Sequence, residues 1–460
     1  MKIKFGTDGW RAIIAKEFTT ENVARVTYGV VAYLKDEKRE PKVVLGFDCR
    51  FGGKLFAETV AEVLSGSGIQ VICCDTPTTT PAVSLATVEL NAGLGIILTA
   101  SHNPASYNGY KLKGHFGGPL LSEGITKVEA LIPDVAPSVN RNDELIEVID
   151  LNQFYIDYVH RKLEMPTILK SKVCLAYDAM YGSGQFVLPK LLPNAKLFRN
   201  EWNPHFYGLS PEPIMRNLEE FQHFLKKNPG SDLALINDGD ADRIGLMDGN
   251  GNFIDSHHIM LLLLHYFVNY KGMKGRVATG FSSTQKIKQF CAKHQLHLDI
   301  VPIGFKHICE LMTKHDILMG GEESGGIAVA GHIPERDGIW NGLILTQMLV
   351  ETKKTINQLL QEIGDEYGAF FFKRIDLTLP DSLKNNIVAN CKSGLYRAFG
   401  ELKVDRVEDL DGWKYYLNDD EWVMIRASGT EPVLRTYAEG RTEARAEEIL
   451  AECHKSILPQ

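Results

Sequence analysis

The chain has 460 residues, 44% of them hydrophobic and 23% charged, with a net charge of −8. That length exceeds what one hydrophobic core organises and predicts three or four domains. The acidic balance, with no long Lys/Arg block, argues against nucleic acid as the main partner, and the longest apolar stretch, Ile259 to Leu264, is far too short to cross a bilayer. No membrane association is expected. Met1-Lys2-Ile3-Lys4-Phe5-Gly6 carries no signal-peptide apolar region. The eight cysteines lack any C-x-x-C spacing and read as reduced thiols, so a cytoplasmic location is expected.

Short apolar strands alternate with amphipathic helices for most of the length, the signature of α/β layers. Phe5-Gly6-Thr7-Asp8-Gly9-Trp10-Arg11 places Arg11 near the start. Val43 to Phe47 is a strand followed by Asp48-Cys49-Arg50-Phe51-Gly52-Gly53 and a helix through Leu64. Leu94 to Leu98 is a buried strand running into Thr99-Ala100-Ser101-His102-Asn103-Pro104, and Pro104 keeps a helix from starting at once. Ser101 therefore sits on a tight turn at a strand end, flanked by His102 and followed ten residues later by Lys111. A hydroxyl nucleophile needs a partner for its proton, and this segment supplies candidates.

Pro133 to Asp143 reads as a boundary, and a linking helix is expected around residues 151–163. Val173 to Ser183 then repeats the first pattern of strand, aromatic-Asp, aromatic-Gly and helix, the helix running to Leu192. Arg276 to Lys293, with Ser282-Ser283-Thr284 after its strand, is a weaker third copy. Successive domains of related topology explain the repeat. Between the second and third copies lies Asn237-Asp238-Gly239-Asp240-Ala241-Asp242-Arg243, after the strand Leu233 to Ile236. Three carboxylates at alternate positions, if they converge, require a cation to offset their repulsion, and hard oxygen ligands suit Mg²⁺; a solvated acidic loop is the alternative. An EF-hand is excluded, because its sixth position is Arg243 rather than Gly and its twelfth is Gly249 rather than Glu. Asp248-Gly249-Asn250-Gly251 is a hairpin turn, and His257-His258 opens a helix without zinc-ligand spacing.

Gly320-Gly321-Glu322-Glu323-Ser324-Gly325-Gly326 offers close backbone approach with Glu and Ser groups for sugar-type hydroxyls. His332-Ile333-Pro334-Glu335-Arg336-Asp337-Gly338 adds a cation at Arg336. After a helix ending near Tyr367 the character changes to α+β: a strand over Phe370 to Leu379, a strand pair around residues 422–439, and a helix from Thr442 to Lys455. Within the strand pair, Arg426-Ala427-Ser428-Gly429-Thr430-Glu431-Pro432 and Arg435 form a plausible phosphate cradle. A nucleophile, a divalent-cation site, a polyol site and a phosphate clamp in one chain favour phosphoryl transfer on a phosphorylated polyol through a covalent phosphoserine.

In the order and spacing of these motifs the chain resembles the α-D-phosphohexomutase family, the phosphoglucomutases and phosphomannomutases, over essentially its whole length. The resemblance implies three related α/β domains, each a mixed sheet with flanking helices, plus a C-terminal α+β domain around a central cleft. The divisions expected are 1–150, 151–254, 255–368 and 369–460, bearing phosphoserine, metal, sugar-reading and phosphate-binding functions in turn. It implies Ser101 as the serine that carries the phosphate and, with Asp238, Asp240 and Asp242, as a Mg²⁺ ligand. Lys111 matches the lysine implicated in proton transfer, Arg11 the arginine beside the phosphoserine, and Arg243 the arginine beside the metal loop. His102, beside Ser101, is a further catalytic candidate on its position alone. Glu322 and Ser324 resemble the hydroxyl-reading pair, and Arg426, Ser428, Gly429, Thr430 and Arg435 the clamp for the non-reacting phosphate.

The implied reaction is a double transfer. Phosphoserine donates to a hexose 1-phosphate, the 1,6-bisphosphate reorients, and its other phosphate returns to Ser101. Glucose 1,6-bisphosphate is accordingly the expected activator, and phosphosugars are the expected partners. Gly326 stands where many phosphomannomutase-type members place His, whereas Arg336, Gly304 and Lys306 resemble the glucomutase branch. Glu323 departs from the Gln usual in phosphoglucosamine mutases. The expectation is a phosphoglucomutase also accepting mannose phosphates. The alternatives are a phosphomannomutase or phosphoglucosamine mutase and, in another class, a non-catalytic phosphosugar-binding protein.

Overall fold

The computed structural model describes residues 2–427 and 433–459. Compactness divides the chain into two units, Met1–Lys274 with Gly304–Gln358 and Gly275–Ile303 with Leu359–Gln460. The third α/β repeat is thus shared: its strand-helix-strand piece, residues 275–303, belongs with the C-terminal segment.

The first unit opens with a six-stranded mixed sheet in the order Trp10–Ile13, Tyr107–Gly114, Leu94–Leu98, Lys42–Phe47, Gln70–Cys73 and Ile146–Val148. Leu94–Leu98 runs parallel to Lys42–Phe47 and antiparallel to Tyr107–Gly114. All five of its residues are buried, which is why it reads as an unbroken apolar run. The helix Thr20–Asp36 is capped by Thr19, and Gly53–Gly66 packs alongside it.

The linking helix is Leu151–Lys162, started by the Asp150 side chain accepting from the Asn152 and Gln153 N–H groups. A second mixed sheet follows, ordered Phe253–Ile254, Ile244–Asp248, Leu233–Asn237, Leu175–Asp178 and Lys196–Phe198. The helix expected to run on from Ser183 to Leu192 is broken into a 3₁₀ turn, Ser183–Phe186, and one α turn, Leu188–Leu191. Pro189 lacks an N–H and is tolerated only at a helix start. The helix Ser256–His265 begins at the Asp255 cap, so His257 and His258 lie in its first turn, with Asp255 accepting from His258. Ile317–Gly321 and Ile327–Val329 pair antiparallel around the turn that carries Glu322.

The second unit contains the parallel pair Arg276–Gly280 and Leu298–Val301. It also holds a five-stranded sheet ordered Phe371–Thr378, Val433–Gly440, Trp422–Ala427, Trp413–Tyr416 and Arg406–Glu408, antiparallel throughout. The helices Asp381–Lys392 and Glu443–Ile457 contribute Ile387, Ile449, Leu450 and Cys453 to one core with Val423, Ile425 and Leu434. All eight cysteines are free, and no helix of the described residues is long and apolar enough to cross a membrane.

Candidate active site

Ser101 lies just past the end of Leu94–Leu98, with φ 52°. A left-handed conformation is costly for a residue with a Cβ and persists only where surroundings enforce it. Those surroundings are present. The Ser101 N–H donates to Thr99 Oγ1 at 2.9 Å, and its hydroxyl donates to Asp238 Oδ2 at 2.6 Å. Asn103 N donates to Ala100 O, closing the turn.

Asp238, Asp240 and Asp242 leave the strand Leu233–Asn237 on a loop in which Ala241 is also left-handed, at φ 58°. All three are buried, and their candidate ligand oxygens lie within 4.8 Å of one another. The division of labour at each carboxylate fits a divalent cation. Asp240 Oδ2 accepts from Thr80 Oγ1 at 2.5 Å and Lys111 Nζ at 2.8 Å, and Asp242 Oδ2 accepts from Lys111 Nζ at 2.9 Å. Their other oxygens, Asp240 Oδ1 and Asp242 Oδ1, are buried with no hydrogen-bond partner. Burial first, then the charges of Asp240 and Asp242, push the Asp238 carboxyl well above its usual range, the expected result of crowding three acids together. A bound cation reverses that repulsion.

Lys111 is fully buried among Asp8, Asp240 and Asp242, at 2.9, 2.8 and 2.9 Å. Against the cost of burial, those carboxylates raise its pKa above the ordinary lysine value. Three carboxylates thus accept from the three Nζ donors. Arg336 adds a second buried cation, on Asp8 at 2.5 Å and Asp242 at 3.0 Å. Arg11 Nη1 donates to Asn103 Oδ1 at 2.6 Å. Arg243 gives its N–H to Asp238 Oδ1, and its Nη1 reaches Glu212 at 3.4 Å. His102 Nδ1 is 3.3 Å from Ser101 Oγ. Burial, then Arg243, Arg11, Lys111 and Arg50, hold His102 well below its usual pKa, so the imidazole is neutral. Cationic and acidic groups therefore both converge on Ser101, the cations on the His102 side and the acid triad on the side of its hydroxyl.

The Glu322 turn is tied to the same centre. Ile244 N donates to Gly325 O, and Gly304 N donates to Glu322 Oε1 at 2.8 Å. Gly304 has φ 134°, and a Cβ there would come within 2.7 Å of Thr7 Cγ2. Lys306 follows in the first turn of Phe305–Lys314, half-buried, as Ser324 is in its own turn. Burial, then Glu323, lifts the Glu322 carboxyl to about 7. A Cβ on Gly326 would lie 2.5 Å from Arg336 Cδ, so the arginine stem occupies the space a larger residue there would need.

Arg426 and Arg435 belong to the second unit, where they face each other across paired strands. Arg426 Nε donates to Asp411 Oδ1 at 3.0 Å, and Arg435 Nε lies 3.7 Å from Asp376 Oδ2. Directly opposed like charges disfavour a strand pair, and Asp411 and Asp376 offset these two. Ser428, Gly429 and Thr430, also expected in this clamp, lie outside the described residues.

Several site residues had no sequence argument of their own. Asp8 binds Lys111 and Arg336, and Glu335 binds Lys113 at 2.6 Å. Thr80 caps Asp240 with both its hydroxyl and its N–H. Only the run Thr78-Thr79-Thr80-Pro81 hinted at the last, as a helix start.

A strained serine hydroxyl on a buried acid triad, in a chain of linked α/β domains, defines a phosphotransfer enzyme. Comparison with known proteins narrows the class. Models of the phosphoglucomutase/phosphomannomutase α/β/α domains I, II and III match residues 2–137, 153–251 and 255–367, and that of the C-terminal domain matches residues 384–456. A phosphoglucomutase/phosphomannomutase of Thermococcus kodakarensis is 30% identical over 97% of this chain and 96% of its own. A phosphoglucosamine mutase of Clostridium botulinum is 29% identical over 97% and 96%. The crystal structure of a protein described as a candidate phosphomannomutase from Thermus thermophilus superposes with a TM-score of 0.88 at 31% identity, covering 99% of each chain. The chain belongs to the phosphoglucomutase/phosphomannomutase family and is a phosphohexomutase, an intramolecular phosphotransferase with the family's four-domain α/β architecture.

Proposed function

We propose that the enzyme interconverts hexose 1-phosphate and hexose 6-phosphate, glucose first and mannose also, through phospho-Ser101 and a hexose 1,6-bisphosphate. The observation that carries this reading is the Ser101 hydroxyl seated 2.6 Å from Asp238 within a buried acid triad. Asp238, Asp240, Asp242 and Ser101 would hold Mg²⁺, which supplies charge neutralisation to the transferring phosphoryl group when bound. Lys111, Arg11 and Arg243 orient the phosphate and offset its charge, while neutral His102 lies beside the nucleophile. Glu322 and Ser324 read sugar hydroxyls, with Gly304, Lys306 and Arg336 lining their pocket. Arg426 and Arg435, with Ser428, Gly429 and Thr430, serve the other phosphate. Glucose 1,6-bisphosphate restores enzyme that has lost its phosphate. On this reading the divisions fall near residues 150, 254 and 368, and free thiols suit the cytoplasm.

Relatives carry both glucosamine and glucose/mannose names, so the sugar assignment rests on Arg336 filling the space beside Gly326. The test is a side-by-side isomerisation assay of glucose, mannose and glucosamine 1-phosphates with Mg²⁺ and trace glucose 1,6-bisphosphate. Glucose 1-phosphate should turn over fastest, with mannose 1-phosphate next. A preference for glucosamine 1-phosphate would overturn the sugar assignment and keep the reaction.

A further inference from the structure

Arg50 is a fully bonded charged group close to the nucleophile. Its guanidinium has five N–H donors, and each has an acceptor. Nε gives to Asp48 Oδ2 at 3.1 Å. Nη1 gives to Pro104 O at 2.9 Å and Tyr107 O at 3.2 Å. Nη2 gives to Ser101 O at 2.5 Å and Asn103 O at 2.7 Å. Four of the five bonds therefore end on main-chain carbonyls of the segment from Ser101 to Tyr107. Asp48 holds the fork in register: its Oδ1 accepts the Arg50 N–H, and its Oδ2 also accepts from Thr99 Oγ1 at 2.6 Å. Thr99 Oγ1 is the acceptor for the Ser101 N–H. Both main-chain groups of Ser101 are thus fixed by one relay, its N–H through Thr99 and its C=O through Arg50. Neither side chain of the Asp48–Arg50 pair is exposed, and the Arg50 guanidinium sits 5.0 Å from the centre of the Phe206 ring.

The related strand end in the second repeat gives a control within the molecule. There Asp178 also accepts a backbone N–H two residues on, from Met180, and also holds an arginine, Arg199. That guanidinium reaches one main-chain carbonyl, Asn217 O. The device common to both repeats is a buried Asp–Arg pair, and only the first has its fork spent on the turn of a nucleophile.

We propose that Asp48, Arg50 and Thr99 are positioning residues for phosphoryl transfer, holding Ser101 in its left-handed turn so that Oγ faces Asp238. The inference rests on Ser101 being the phosphate carrier. None of the three touches the transferred group; they act through the serine main chain. Lysine cannot replace this fork, because an ammonium has three donors and no planar array. A misplacement of about 1 Å at a reacting atom costs about 100-fold in rate.

The experiment follows the half-reaction of dephospho-enzyme with glucose 1,6-bisphosphate by rapid quench and intact mass. In it the Ser101 Oγ–P bond forms, the sugar P–O bond breaks, and the serine proton leaves with the sugar hydroxyl. Arg50→Lys should slow phosphate uptake about 100-fold and Thr99→Val about 10-fold, with KM for glucose 1-phosphate within about twofold of wild type. Thr99→Val keeps the shape of the side chain and decides the matter if Arg50→Lys does not fold. Uptake at the wild-type rate in folded Thr99→Val, or losses matched by a lower fraction of folded enzyme, would overturn the positioning role. Failure of the wild type itself to take phosphate on Ser101 would instead overturn the reading beneath it.

Discussion

On the proposed mechanism, Ser101 and Asp240 are the residues where a single atom separates function from scaffold. Ser101→Ala removes the hydroxyl's bond to Asp238 and its 3.3 Å contact with His102 Nδ1, and should cost about 1–2 kcal/mol of stability while abolishing turnover. Thermal melting beside the isomerisation assay checks both parts. Asp240→Asn keeps the size of the side chain but removes a charge shared by Lys111 and the cation site. It should lower kcat about 100-fold or more and raise the Mg²⁺ concentration needed for half-maximal rate; an unchanged Mg²⁺ titration would reduce the loop to a buried turn. Glu322 makes a prediction about pH. Its carboxyl is raised by burial, then by Glu323, from the usual 4.5 to about 7. The folded protein keeps that proton between these values while the unfolded chain has lost it, so the contribution of Glu322 to stability falls as pH rises through this window. As an ionised hydroxyl acceptor it should give kcat/KM a rising limb centred near pH 7, and Glu322→Gln should remove the limb.

At the scale of elements, what was legible in the sequence was whatever depends on neighbours along the chain. Leu94–Leu98 and Leu233–Asn237 are buried throughout, so each reads as an apolar run, unbroken to Leu98 in the first and to Ile236 in the second, and the polar residues that follow mark strand ends. The Asp triad was legible because its three carboxylates occupy alternate positions of one loop. Arg50 was not legible as a positioning residue because four of its partners are carbonyls, which carry no side-chain signature, more than fifty positions away. Asp8 and Glu335 were illegible for a related reason, their partners Lys111 and Lys113 lying on a distant strand. The expected helix from Ser183 fails at Pro189, where a local rule should have outweighed the repeat. The Glu322 turn illustrates a dependence between elements. Gly326→Ala would force Arg336 Cδ, now 2.5 Å from the would-be Cβ, off its place beside Asp8 and Asp242. The expected result is a loss of about 10-fold in kcat/KM for glucose 1-phosphate, smaller for mannose 1-phosphate; equal losses for both sugars would argue against Arg336 as a source of preference.

The charges of the candidate site are kept out of water. Lys111, Asp238, Asp240 and Asp242 are all fully buried, an arrangement costly unless each charge is paired and the excess acid is matched by a cation. Ligand binding and stability are therefore linked. Mg²⁺ at about 100 times its dissociation constant should add about 2.7 kcal/mol to the native state. EDTA should accordingly lower the melting temperature of wild type by several degrees and leave Asp240→Asn nearly unmoved. The measurement that bears most directly on the central claim is a single-turnover label transfer. Enzyme incubated with glucose 1,6-bisphosphate labelled in its phosphates is digested, and the labelled peptide is sequenced by mass spectrometry. Label on Ser101, discharged on adding unlabelled glucose 1-phosphate and absent from Ser101→Ala, is the predicted result. Label on another residue, or turnover without any labelled protein, would contradict it.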